Sequence, residues 1–144
     1  MSLCRHQGFI DAPVDVVWDL ISDIEHHPEW WPRVIEVDVS GNTEGDSYRQ
    51  VTQTPVGKNE MQLLIESREE LRNLRIRCLN TGTFLRFEMT DAHGGTFVDG
   101  EMGMEPHGIK ARLFDAAAGR RYFRDWISAT FTALDQAAKR RTEP

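Results

Sequence analysis

The chain has 144 residues, 40% hydrophobic and 28% charged, the size and balance of one domain with a real core, so a single domain over 1–144 is expected. The N-terminus lacks the apolar run of a signal peptide, and no window approaches the roughly 20 apolar residues that span a bilayer, so a cytoplasmic protein without integral membrane association is expected. The net charge is −6; residues 109–141 carry eight Lys/Arg against three Asp, or +5, and the remainder −11, which argues against a nucleic-acid partner.

Cys4 and Cys78 lie far apart with no CxxC or Cys/His cluster, so two reduced cysteines are expected and neither a metal nor a cofactor. Residues 3–11 read as a strand. Pro13 suits the first turn of a helix over 13–22, with Asp11 or Asp15 at its positive end and Val14, Val17, Trp18 and Ile21 on one face.

The segment IEHHPEWWPRV follows. Pro28 and Pro32 limit any helix there to one turn. Two adjacent tryptophans cannot both point inward from one turn, so one of Trp30 and Trp31 is expected in the core and the other over an opening; a ligand contact and a core plug both remain open. His26 and His27 diverge on a helix and have no further ligand at metal spacing.

From Val34 the hydrophobic period becomes two. Ile35, Val37 and Val39 alternate with polar residues, and Tyr48 to Thr54 is the next strand. Met61, Leu63 and Ile65, then Leu74, Ile76 and Cys78, then Leu85, Phe87 and Met89, and finally Val98, Gly100, Met102 and Met104 follow the same rule. Gly41-Asn42, Asn80-Thr81-Gly82 and His93-Gly94-Gly95 supply turns, and short turns between one-face-apolar strands imply an antiparallel meander. Over 109–141 the period returns to that of a helix: Ile109, Leu113, Ala116, Phe123, Ile127, Phe131, Leu134 and Ala138 form one stripe. A single helix roughly 45 Å long follows, with strands as its only large partner.

Strand, two short helices, six strands, long helix: in this order, and in FIDAPVDVVWDLISDIEHHPEWWPRV at 9–34, the hairpin from Glu66 to Arg77 and the terminal TFTALDQAAKRR, the chain resembles the START-like group of polyketide cyclase-dehydrase and lipid-transport proteins (SRPBCC group). The resemblance implies an α+β helix-grip fold, a seven-stranded curved antiparallel sheet wrapped around a long C-terminal helix. It also implies an internal cavity for a hydrophobic or aromatic small molecule, such as a lipid, an isoprenoid or a polyketide-like compound. Small residues at Ala116, Ala117, Ala118, Gly119 and Gly100 are expected to leave room for it, and flexible methionines suit its walls. The expected lining is Trp30, Trp31, Tyr48, Gln50, Met61, Leu63, Phe87, Met89, Gly100, Met102, Phe123, Ile127 and Thr130.

Two alternatives stand beside carriage. The related cyclases are similar in fold and use an inward Arg with hydroxyl neighbours on a poly-ketone chain; here alternation puts Arg75, Arg77 and Arg86 opposite the apolar face and leaves Arg49 and Arg68 ambiguous. No Ser/His/Asp or Cys/His order assembles, so no catalytic residue is assigned. Protein docking through the basic helix end, Lys139 to Arg141, is the third reading.

Overall fold

The computed structural model describes residues 1–143. The elements are β1 (Ser2–Ile10), α1 (Val14–Ser22), a 3-10 turn (Ile24–Glu29), β2 (Val34–Asp38), β3 (Ser47–Thr54), β4 (Gly57–Glu69), β5 (Asn73–Cys78), β6 (Thr83–Ala92), β7 (Gly95–Met104), α2 (Gly108–Phe114), a π-helical turn (Asp115–Gly119) and α3 (Arg120–Thr142). The seven strands form one antiparallel sheet in the order β1-β7-β6-β5-β4-β3-β2. Each sequential pair from β2 to β7 is a hairpin, and β1 joins the far edge beside β7. This is the α+β helix-grip architecture.

Alternation determines the two faces of the sheet. Tyr48, Gln50 and Thr52 of β3 face inward with Met61, Leu63 and Ile65 of β4, Leu74 and Ile76 of β5, Phe87 and Met89 of β6, and Val98 and Met102 of β7; all are buried. The opposite phase carries charge. Arg86 pairs with Glu101, Glu88 and Asp99, Arg5 with Asp99, Arg77 with Glu66 and Glu105, and Arg49 with Glu36 and Glu60. Arg49, left open by the sequence, therefore lies on the outer face. Arg68 reaches the Ser22 carbonyl and Asn42 while stacking over Trp18, 5.3 Å from its ring, and so does not enter the interior.

Two turns show why the strands reverse where they do. His93 and Gly94 both have positive φ, +55° and +87°, as a two-residue turn compatible with strand twist requires. Gly82, at φ +82°, lies where a Cβ would overlap the backbone carbonyl of Glu105; its own carbonyl accepts the Glu105 N–H at 2.9 Å. Gly82→Ala combines left-handed strain with a backbone clash. It is expected to cost about 2 to 4 kcal/mol, read as a lower urea midpoint at unchanged slope.

The terminal helical segment is continuous over 35 residues but changes pitch. The π-helical turn holds more residues per turn than an α-helix, which rotates everything before it relative to everything after. Downstream, the expected stripe faces the sheet: Phe123, Ile127, Phe131, Leu134 and Ala138 are buried. Upstream it does not. Ile109 and Leu113 are 76% and 66% exposed, and Ala116 and Ala117 face solvent, so one uninterrupted stripe from Ile109, and an Ala run facing the cavity, are both corrected. In that half Ala111 and Gly119 are the buried positions. A Cβ on Gly119 would meet Asp115 Oδ1 at 2.5 Å and the Ser2 hydroxyl at 2.7 Å, so glycine lets the π-turn pack directly on β1.

Candidate functional site

Beneath the middle of the sheet the interior is filled by rings. A Cβ on Gly100 would lie 2.8 Å from Phe87 and 2.9 Å from Phe131, and one on Gly8 3.2 Å from Phe131. Trp31 meets Phe87 edge-on at 5.4 Å, Phe87 and Phe131 are 6.0 Å apart, and His6 lies 4.4 Å from Phe131. The missing side chain at Gly100 therefore admits aromatic rings from two other elements, and the expectation of open space there is corrected.

Open space lies instead toward the start of α3, where the rotated α2 stands off from the β3–β4 hairpin. A pocket of about 410 Å³ is lined there by Thr52, Thr54, Val56, Lys58, Asn59 and Met61 from the hairpin; Asn80, Thr81, Thr83 and Met104 from the β5–β6 turn, the start of β6 and the end of β7; and His107, Lys110, Ala111, Phe114, Tyr122, Phe123 and Trp126 from the helical segment. This volume is within the range of small-molecule sites. Burial grades from floor to mouth: Met61, Met104, Phe123 and Trp126 are buried, while Val56, Lys58, His107 and Lys110 are exposed.

The polar groups of the floor are mostly engaged already. Gln50 Nε2 donates to Thr52 Oγ1 at 2.9 Å, and that hydroxyl donates to Met61 Sδ at 3.2 Å. Trp126 Nε1 donates to the Pro32 carbonyl at 2.8 Å, and the Tyr122 hydroxyl to the Gln53 carbonyl at 3.2 Å. The Thr81 and Thr83 hydroxyls are 2.8 Å apart. Burial pushes the Tyr122 phenol above its ordinary pKa, opposed by the Arg33 guanidinium 4.6 Å from its ring centre, so it stays neutral. Such a surface can desolvate an apolar body and offer a few oriented hydroxyl oxygens.

Among the residues singled out from the sequence, Met61 and Phe123 line this pocket. Gln50 pairs across the strands with Met61, and Tyr48 with Leu63, next to the pocket on the same inner face. Burial pushes the Tyr48 phenol far above its usual range. Trp31, Phe87 and Gly100 belong to the aromatic plug. Met102 and Ile127 are buried core residues, and Thr130 Oγ1 donates to the Trp126 carbonyl at 2.7 Å. Trp30 stacks on Trp31 at 4.9 Å and lines a shallow depression with Leu20, His26 and Arg140. Met89 borders a larger, open concavity of about 870 Å³. That groove, at the start of α1, exposes Asp15, Glu69, Glu88 and Asp91, and its polar, open character makes it a poorer small-molecule site than the smaller apolar pocket.

Most of the lining lies outside the residues expected from the sequence pattern. Thr52 continues the inward phase of Tyr48 and Gln50 by one step of two, and Tyr122 and Trp126 extend the Phe123–Ile127 stripe to the width a buried helix face normally has. His107, Lys110 and Lys58 carried no signal of their own.

The histidines fall on opposite sides of the surface. His27 is buried under the tryptophans, its Nε2 2.7 Å from the Ile21 carbonyl, and burial lowers its pKa to about 4. His26 is exposed and pairs with Asp23, whose carboxylate raises its pKa. Among the described residues no group of three His, Cys, Asp or Glu is placed to hold a metal ion, and no helix is long and apolar enough to cross a membrane.

Residues 5–139 match the family described as polyketide cyclase / dehydrase and lipid transport. No curated protein matches the chain. Similar solved structures include a START superfamily protein from Mycobacterium smegmatis, with TM-score 0.80 and 10% identity over 99% of this chain and 100% of that one. A Thermus thermophilus protein gives 0.79 and 16% over 98% and 99%. The Zhui aromatase/cyclase from a Streptomyces species gives 0.69 and 15% over 98% and 95%. At these identities the likeness is one of fold.

Proposed function

Since the chain belongs to the polyketide cyclase / dehydrase and lipid transport family, we propose that it binds and carries a hydrophobic or aromatic small molecule in the pocket between the β3–β4 hairpin and the helical segment. The observation that carries this reading is the pocket itself: about 410 Å³, with a floor of Met61, Met104, Phe123 and Trp126. At about 25 cal/mol per Å² of apolar surface removed from water, a mid-sized aromatic or isoprenoid body gains enough to bind at roughly micromolar strength. Cyclase-like chemistry on a poly-ketone would call for an arginine facing the substrate. The lining contains none, and Arg49, Arg77 and Arg86 are engaged by carboxylates on the outer face. Carriage is therefore favoured over turnover.

N-Phenyl-1-naphthylamine, a neutral fluorescent probe, is expected to bind saturably and to quench Trp126 by energy transfer. Ala111→Trp, on the buried side of α2, places a large ring in the pocket and is expected to weaken that binding at least about tenfold in protein whose circular dichroism shows it folded. Wild-type affinity in Ala111→Trp would remove the pocket as the site.

A further inference from the structure

The pocket's charge is one-sided. Its lining includes Lys58, Lys110 and His107 and no Asp or Glu, in a chain whose net charge is −6. Two of the three lysines in the sequence stand at this one mouth. The third, Lys139, pairs with Asp135 at 3.2 Å, and the outer-face arginines Arg5, Arg49, Arg77 and Arg86 are likewise held by carboxylates. Neither Lys58 nor Lys110 makes an ion pair among the described residues. Both are exposed, as is His107, while the apolar floor lies inward of them, so the pocket runs from a cationic opening to an apolar interior.

An amphiphile matches that gradient end to end. Its apolar body would displace water from Met61, Met104, Phe123 and Trp126, and an anionic head would remain at the mouth, hydrated and within reach of two ammonium groups. A neutral ligand would use only the first half. Like-charged lysines facing one opening repel each other when it is empty, so an anion there relieves repulsion as well as adding attraction.

We propose that the ligand is an anionic amphiphile, an apolar chain or ring system carrying a carboxylate, phosphate or sulfonate held by Lys58 and Lys110. This rests on the pocket being the binding site, and the test separates the two ideas. 8-Anilino-1-naphthalenesulfonate and N-phenyl-1-naphthylamine share one aromatic skeleton and differ by the sulfonate. The sulfonate is expected to bind at least about tenfold tighter, with affinity falling as salt is added. The double variant Lys58→Gln/Lys110→Gln is expected to lose roughly tenfold for the sulfonate and much less for the neutral probe, as two partly screened charge contacts would give. Lys139→Gln/Arg140→Gln, which removes the same two positive charges outside the pocket, controls for net charge and should alter neither.

Competition against the bound sulfonate by decanoate and decyl phosphate, with decanol as the neutral control, distinguishes a carboxylate from a phosphate head. Displacement by either anion in preference to decanol supports the proposal and names the head. Equal affinities for the two probes, unaffected by the lysine changes, would overturn the anionic assignment while leaving apolar binding in place. Saturable binding of neither probe would overturn both.

Discussion

Phe131→Asp is expected to remove most or all of the stability of the domain. The Phe131 ring occupies the space left by Gly100 and Gly8, packs on Phe87 and His6, and is 6% exposed. Deleting a buried phenylalanine ring costs about 3 to 5 kcal/mol, and a carboxylate in its place adds several more unless it is neutralised. The sum is comparable to the roughly 5 to 15 kcal/mol that holds a domain of this kind together. Circular dichroism against urea should find no folded baseline for Phe131→Asp, an intermediate loss for Phe131→Ala, and almost none for the exposed Arg140→Asp. A Phe131→Asp protein that unfolds with the wild-type midpoint would mean that α3 does not face the sheet as described.

The second large effect is acid lability through His27. The ring is 2% exposed, lies 4.6 Å from Trp31 and donates from Nε2 to the Ile21 carbonyl, so it is held neutral and has little water to stabilise a cation. Its pKa falls from 6.5 to about 4. Between these values the unfolded chain binds a proton that the folded one does not. The contribution is therefore fully present above about pH 6.5, declines as pH drops toward 4, and is constant below that, the total loss being roughly 3 kcal/mol. His26 works in the opposite sense: Asp23 raises its pKa, so its small, solvent-screened contribution is lost as pH rises. Urea midpoints taken across the window should fall steeply with acid for wild type and much less for His27→Gln, which retains an amide donor for Ile21. Identical pH slopes in the two proteins would show that His27 does not resist protonation in the fold.

These expectations differ in how far local pattern supports them. Most of the sheet was readable because a strand carries its burial in its own alternation: Met61, Leu63 and Ile65 must share a face whatever the rest of the chain does; β2 corrects the rule, since a register shift between Val34 and Glu36 buries Val34 and leaves Ile35, expected on the apolar face, exposed. The turn at His93-Gly94 and the inner stripe of α3 from Phe123 to Ala138 were readable for the same reason, since each depends on backbone geometry within a few residues. The Pro-x-Trp-x-Pro corner was legible as a break in the helix, and its neighbours decided only that Trp31 is buried while Trp30 is partly exposed.

The phase of α2 could not be read that way. Ile109 and Leu113 fit a continuous helical stripe perfectly well; they face solvent because the helix takes a π-turn over Asp115–Gly119, where Gly119 packs on Ser2 of β1 and Asp115 pairs with the Met1 amino group. The site had the same difficulty in stronger form. Whether the gap at Gly100 stays open depends on Phe87 and Phe131, 13 and 31 residues away along the chain, and the pocket draws its lining from hairpin, turn, strand end and helix together. Periodicity records which side of its own element a residue occupies. A cavity is what remains after side chains from several elements have filled the interior, so its position, and the meeting of Lys58 with Lys110 at its mouth, arise only once those elements are packed.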